Sequence, residues 1–216
     1  MKVKWNGHAS FTITTDSGVR IVTDPYEPGG FGGAIKYEPI PDPADIVVVT
    51  HEHADHNYVK GVKGSPVVIK GGQEAKGIKF KAVPAFHDSS RGRERGTNNI
   101  FVFEVDGIRA AFLGDLGQTL DSDQAKQLSG LDLLFIPVGG FFTIDAKQAA
   151  KLVGELKPRV AIPMHFKTAK VDFPIKPADD FIAHFTKVKK FETSEIEIKK
   201  QALPQTTEVW VLKYAC

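Results

Sequence analysis

The sequence predicts a mixed α/β fold in which two β-sheets pack together with helices outside. Three observations lead there. The first half is a succession of short apolar or alternating runs separated by turn residues. The second half alternates apolar runs with segments of helical pattern. Strands that feed helices in both halves bury their apolar faces best as sheet layers covered by helix. With 42% hydrophobic and 25% charged residues over 216 positions, the chain has the composition of a globular protein able to bury a core without staples. One domain spanning 1–216 is expected, built of two pseudo-equivalent halves, roughly 1–118 and 119–216.

In chain order, residues 11–14 alternate apolar and polar, Asp16-Ser17-Gly18 supplies a turn, and 19–22 form a second hairpin strand. The segment 26–43 is rich in Pro and Gly and is expected to be a long surface loop. Residues 46–49 are a β-branched run, the pattern of a strand buried on both faces. Further strands are expected at 67–69, 78–83, 100–105 and 108–113, the last two joined by the hairpin pair Asp106-Gly107. After Gly117 the prediction is helix at 122–128, strand at 133–137 and helix at 145–156 with Asp145 as N-cap. Strand 160–163 follows, then a helix over 177–185 with Pro177 near its first turn, and a closing strand over 207–214.

Bulk properties exclude several classes. The net charge of +2, from 28 basic and 26 acidic residues, gives no electrostatic footprint for nucleic acid. Cys216 is the only cysteine, so neither an intrachain disulfide nor a thiolate metal site is expected. The start lacks the apolar stretch of a signal peptide, and no run approaches the roughly 18 apolar residues of a membrane span. A cytoplasmic protein with no membrane partner is expected.

The chemistry is concentrated in Thr50-His51-Glu52-His53-Ala54-Asp55-His56, directly after the 46–49 run. Side chains alternate in an extended segment, so His51 and His53 address one point. Asp55 and His56 follow a change of direction and address another, so one short loop can serve two metals. His87, Asp115 and His165 each follow a strand-like run, where side chains converge at a sheet edge.

His51-x-His53-x-Asp55-His56, followed by His87, Gly114-Asp115 and His165, resembles the signature of the metallo-β-lactamase superfamily in order and spacing. The resemblance spans 51–165. It implies a four-layer αβ/βα sandwich with a dinuclear site. His51, His53 and His87 would hold one metal, and Asp55, His56 and His165 the other, with Asp115 bridging. The opening Trp5-Asn6-Gly7-His8-Ala9-Ser10-Phe11 and Asp24-Pro25 look like the branch of uncharacterised metal-dependent hydrolases and L-ascorbate-6-phosphate lactonases.

Imidazole and carboxylate ligands suit zinc or manganese. Two such ions can share a bridging hydroxide that attacks a carbonyl carbon or phosphorus at neutral pH. The expected enzyme is therefore a dinuclear hydrolase acting on a small, anionic ester, lactone or phosphodiester. The alternatives are a mononuclear iron dioxygenase of the same fold and a non-catalytic metal-binding protein.

Other residues take auxiliary parts in this reading. Asp55 and His8 are candidates for direct participation in the chemistry, His8 by touching the substrate or protonating a leaving group. Asp24 would orient a ligand imidazole through its second N–H. Arg91, Arg93 and Arg95, in the loop that starts at His87, would bind an anionic substrate group. Gly29-Gly30-Phe31-Gly32-Gly33 reads as a flap with an apolar tip. The sequence is silent on the oligomeric state.

Overall fold

The computed structural model of the protein describes residues 1–216. β1 (Lys2–Gly7), β2 (Ser10–Thr14) and β3 (Arg20–Thr23) form an antiparallel meander. β4 (Ile46–Val48) and β5 (Val67–Ile69) extend it in parallel, and β13 (Glu195–Glu197) closes the other edge. The resulting six-stranded order is β13-β1-β2-β3-β4-β5.

The second sheet begins with β6 (Gln73–Ala75), β7 (Ile78–Phe86), β8 (Thr97–Val105) and β9 (Ile108–Phe112), all antiparallel. β10 (Leu133–Pro137), β11 (Val160–Met164), β14 (Glu208–Val211) and β12 (Val188–Lys190) continue it in parallel.

Local chemistry accounts for the connections. Asp106 and Gly107 have φ of 52° and 72°, the backbone a two-residue hairpin turn requires between Val105 and Ile108. Parallel neighbours need crossovers, and α2 (Ser122–Gln127) and α3 (Ala146–Leu156) supply them before β10 and β11. Both begin with a reciprocal cap, Asp121 with Gln124 and Asp145 with Gln148. The expected helix over 177–185 is reduced to one turn, α4 (Asp179–Ile182), which seats buried Phe181. No helix is long and apolar enough to cross a membrane.

Ile21, Ile46, Val48 and Ile69 join a 50-residue core cluster, in which Phe11 of the first sheet meets Phe135 of the second at 4.6 Å between ring centroids. On the opposite face, Val22, Val47 and Val49 pack under Tyr26, Ile35, Tyr37 and Ile40. The segment 26–43 is thus a cover for the outer face of the first sheet, where the sequence suggested a surface loop. Its apolar residues have no helical or strand period, so no pattern announces their burial. Each such fully buried side chain contributes about 1.5–3 kcal/mol. Only one turn, α1 (Gly30–Gly33), is assigned there, with Phe31 and Gly32 left-handed at φ of 52° and 65°.

The chain crosses between sheets at 69–73, and β13 returns to the first sheet. The sheet boundary therefore lies well before residue 118. β6, β12 and β13 are three-residue strands of sequence QEA, VKK and EIE. They lie at sheet edges, where charge blocks pairing with other chains.

Candidate functional site

Six strand ends position the site. His8 follows β1, Asp24 follows β3, and the 51–56 loop comes after β4. His87 follows β7, Asp115 lies beyond β9, and His165 follows β11. Three of these strands belong to each sheet, so the site lies where the two sheets end together.

The seven ligand-type residues come together around Asp115. Its Oδ2 lies 3.1 Å from Nε2 of both His56 and His87, 3.2 Å from His165 Nε2 and 4.0 Å from His51 Nε2. His51, His53 and His87 form one group whose ligand atoms lie within 4.8 Å of one another. Asp55, His56 and His165, with His8, form a second. Six of the seven are buried, and His53 is the open one.

Hydrogen bonds behind these rings set which nitrogen faces inward. The Asp24 carboxylate accepts from Thr50 N (2.8 Å), Thr50 Oγ1 (2.6 Å) and His56 Nδ1 (2.8 Å). With its proton given to Asp24, the Thr50 hydroxyl accepts from His51 Nδ1 at 2.9 Å. His87 Nδ1 donates to the Phe142 carbonyl at 3.1 Å. Three imidazoles are thereby held as Nδ1–H tautomers with Nε2 lone pairs directed into the site. Asp24 reaches His56 directly and His51 through Thr50. Asn98, which sequence reasoning passed over, accepts from Asp115 N at 2.9 Å and donates to the Leu113 carbonyl at 2.9 Å. It clamps the Gly114-Asp115 turn from a buried strand position that carries no motif.

This donor set fits metal. His51 Nε2, His56 Nε2 and Asp115 Oδ1 are buried without a hydrogen-bond partner, a costly state that a cation relieves. Two atoms bound to one ion at about 2.0–2.1 Å, roughly 100–110° apart, are themselves roughly 3.1–3.4 Å apart. The contacts of Asp115 with His56, His87 and His165 fall in that range.

Electrostatics agree. Burial disfavours charge on Asp115, but His165, His56 and His87 outweigh it and hold the carboxyl well below its usual range. Burial also opposes protonation of His56, yet Asp115 and Asp55 prevail and raise its pKa well above the histidine norm. His51 is pushed down to about 2, by burial and then by His56, so its ring is neutral and free to ligate.

His8 is brought into the cluster but not to the substrate side. Its side chain is fully buried, with Nε2 3.1 Å from Asp55 Oδ2, and it does not line the cavity over the site. The role of touching substrate is therefore not the one its position serves. Its φ of 52° is held because its carbonyl accepts from both the Trp5 indole (3.0 Å) and His165 N (3.1 Å). Asp24 and His165 also have positive φ, 34° and 50°, and such strain concentrates at functional sites.

The cavity of about 180 Å³ above the centre is floored by His and Asp side chains and walled by Phe31, Phe142 and Phe173, with Arg95 at its side. Of the three arginines, only Arg95 lines it. Arg91 and Arg93 are exposed, Arg93 with Nε on the Ser90 carbonyl at 3.1 Å. The loop is tied by buried Asp88, whose carboxylate accepts from the backbone N–H groups of Ser90, Gly92, Glu94 and Arg95 at 2.8–3.1 Å. Loss of hydration works against its charge, but these donors hold the Asp88 carboxyl below the usual range.

Gly117 shows how tightly the His87 end is packed. A Cβ there would lie 2.3 Å from His87 C and O and 2.5 Å from Asp88 N, all backbone atoms. Gly117→Ala is expected to displace the end of β7, cost roughly 1–3 kcal/mol, and weaken metal binding at the group containing His87. Thermal melting with a metal titration checks this, and wild-type values in both would show that the backbone yields elsewhere.

Comparison with known proteins places this geometry. The model of a beta-lactamase superfamily domain matches residues 2–165. A UPF0173 metal-dependent hydrolase of Thermococcus onnurineus is 34% identical over 197 residues, covering 78% of this chain and 85% of that protein. A UPF0173 metal-dependent hydrolase of Archaeoglobus fulgidus is 29% identical, covering 92% and 94%. The crystal structure of a candidate Zn-dependent hydrolase of the metallo-β-lactamase superfamily from Thermotoga maritima superposes with a TM-score of 0.80 at 35% identity, over 99% of both chains. These names favour hydrolysis over the iron dioxygenase alternative. The α+β architecture, the metal-competent His/Asp cluster and these matches lead to one conclusion: the chain belongs to the metallo-β-lactamase superfamily, among its metal-dependent hydrolases.

Proposed function

We propose that the protein is a dinuclear metal-dependent hydrolase of a small-molecule ester, lactone or phosphodiester, using zinc or manganese. His51, His53 and His87 would hold one ion and Asp55, His56 and His165 the other, with Asp115 shared. The observation that carries the reading is the position of Asp115 Oδ2. It stands 3.1 Å from His87 Nε2 of one group and 3.1 and 3.2 Å from His56 and His165 Nε2 of the other. One oxygen so placed can serve both groups.

When bound, the ions would polarise the substrate oxygen and activate water at neutral pH. The remaining work belongs to the chain. Asp55 lines the cavity, and His56 and His8 overcome its burial to hold its carboxyl well below the usual range. It is thus an acceptor available to orient the attacking water. Since a carboxylate only accepts, His8 donates from Nε2 and holds Asp55 in place. His8 is in this reading a positioning residue. Phe31, Phe142 and Phe173 give the cavity an apolar wall, which lowers the polarity around the electrostatic contacts beside it.

The test is elemental analysis of protein purified without added metal, then reloaded, alongside a hydrolase substrate panel. Two zinc or manganese ions per chain and metal-dependent turnover are expected. One ion per fully loaded chain, with His56 and His165 turned away, would overturn the dinuclear centre.

A further inference from the structure

The cavity over the centre adjoins a second one of about 260 Å³, lined by Lys70, Gly96, Thr97 and Asn99 and sharing His53 and Arg95 with the first. The two differ in character. The first has a wall of three aromatic rings from separate parts of the chain, Phe31 on Phe173 at 5.4 Å and Phe173 on Phe142 at 5.7 Å between centroids. Phe31 is 54% exposed, although an isolated side chain of this size gains by burial. The second cavity has one hydrophobic lining residue, Val49, and is otherwise polar, with the Glu52 carboxylate paired to Lys70 on its wall and Arg95 its other cationic side chain of the Lys/Arg type.

Charge within the pair is unevenly matched. Lys70 is neutralised by Glu52 at 2.7 Å. The guanidinium of Arg95 has only a marginal contact, 3.5 Å to Glu94 Oε2, and lies 5.6 Å over the Phe142 ring. Stacking on that ring and the Arg95 N–H bond to Asp88 fix where the guanidinium stands. It is a cation held ready between an apolar and a polar compartment, its exposed carboxylate contact being of the weak surface kind.

We infer that the substrate is amphipathic: an aryl or similarly compact apolar group lies against Phe31, Phe142 and Phe173, and an anionic group, carboxylate or phosphate, is bound by Arg95 at the junction of the cavities. The inference rests on the hydrolase reading, because the scissile bond must lie over the His/Asp floor between these two ends. Arg91 and Arg93 take no part. Arg95 and Phe173 are specificity-determining residues, and Asp88 positions Arg95.

The experiment is a two-by-two panel of esters, phenylacetyl or acetyl, each with a neutral or a carboxylate-bearing alcohol, assayed on metal-loaded wild type, Arg95→Ala, Arg95→Lys and Phe173→Ala. Calorimetric binding of phenylsuccinate and succinate to the same proteins gives a readout independent of turnover. Wild type is expected to favour the aryl, anionic ester. Arg95→Ala should lose about 10–100-fold in kcat/KM on the anionic esters, mainly through KM, and little on the neutral ones. Arg95→Lys should recover only part. Phe173→Ala should lose about tenfold on the phenylacetyl esters whatever their charge, and phenylsuccinate binding should follow both residues.

Hydrolysis indifferent to ring and charge would overturn this inference and leave the hydrolase reading standing. Binding of phenylsuccinate that depends on Arg95 and Phe173, with no ester cleaved, would support the amphipathic site and count against hydrolysis. Neither turnover nor binding would overturn it as well.

Discussion

Asp115→Ala should abolish binding at one of the two metal groups and reduce turnover by more than the roughly 10–100-fold expected for a residue behind the ligands. The side chain contacts only imidazoles, while its backbone N–H is held by Asn98, a bond that alanine keeps. The fold should therefore survive, with an unchanged far-UV circular dichroism spectrum. Metal added to wild type should raise Tm, because an ion that binds only the native state stabilises it by mass action. The variant should show a smaller rise. Asp115→Asn, close in shape, should fail in the same direction, since its amide oxygen is neutral and a much weaker shared ligand than a carboxylate. Two ions per chain with near wild-type turnover in either variant would remove Asp115 from the bridging position.

Asp24→Ala should have the largest effect on stability. It strips acceptors from three buried donors, Thr50 N, Thr50 Oγ1 and His56 Nδ1. At about 1–3 kcal/mol for each of the three unpaired buried groups, the loss is on the order of 3–9 kcal/mol. Burial raises the Asp24 carboxyl, with His56 and Thr50 opposing, so the charged form is expensive here and is retained only with its donors in place. Asp24→Asn separates packing from chemistry. An amide cannot accept from Thr50 N, Thr50 Oγ1 and His56 Nδ1 together, so either Thr50 loses its partner or His56 changes tautomer and turns its Nε2 into a donor. Metal affinity is expected to drop roughly 10–100-fold while the folded state persists. Denaturant unfolding measures the first variant, and a competitive metal titration the second. An asparagine variant that binds metal as tightly as wild type would show that Asp24 supports the fold alone.

Much of the site is legible in the sequence because it is written locally. His51, His53, Asp55 and His56 occupy one six-residue segment, and an apolar run ahead of each of His87, Asp115 and His165 places it at a strand end. Asp24 is legible as a possible partner of an imidazole, but which imidazole is not. Asn98, Asp88 and Gly117 are not legible at all. Asn98 lies within β8 and acts on Asp115, 17 residues away, while Gly117 matters because the His87 backbone passes 2.3 Å from where its Cβ would be. Such contacts exist only after β7, β8 and β9 have paired.

By itself the sequence determined the mixed α/β class, the hairpin at Asp106-Gly107, the capped α3 and the seven ligand-type residues, because periodicity, turn chemistry and local spacing are properties of neighbours along the chain. Tertiary structure decided the rest. It turned 26–43 from a loop into a cover, since its scattered Tyr and Ile find Val22, Val47 and Val49 only once the first sheet exists. It withdrew His8 behind Asp55 and brought Arg95, not Arg91 or Arg93, to the cavity. Three arginines spaced two apart are equivalent in one dimension. They become different when Asp88 curls their loop and directs one of them inward.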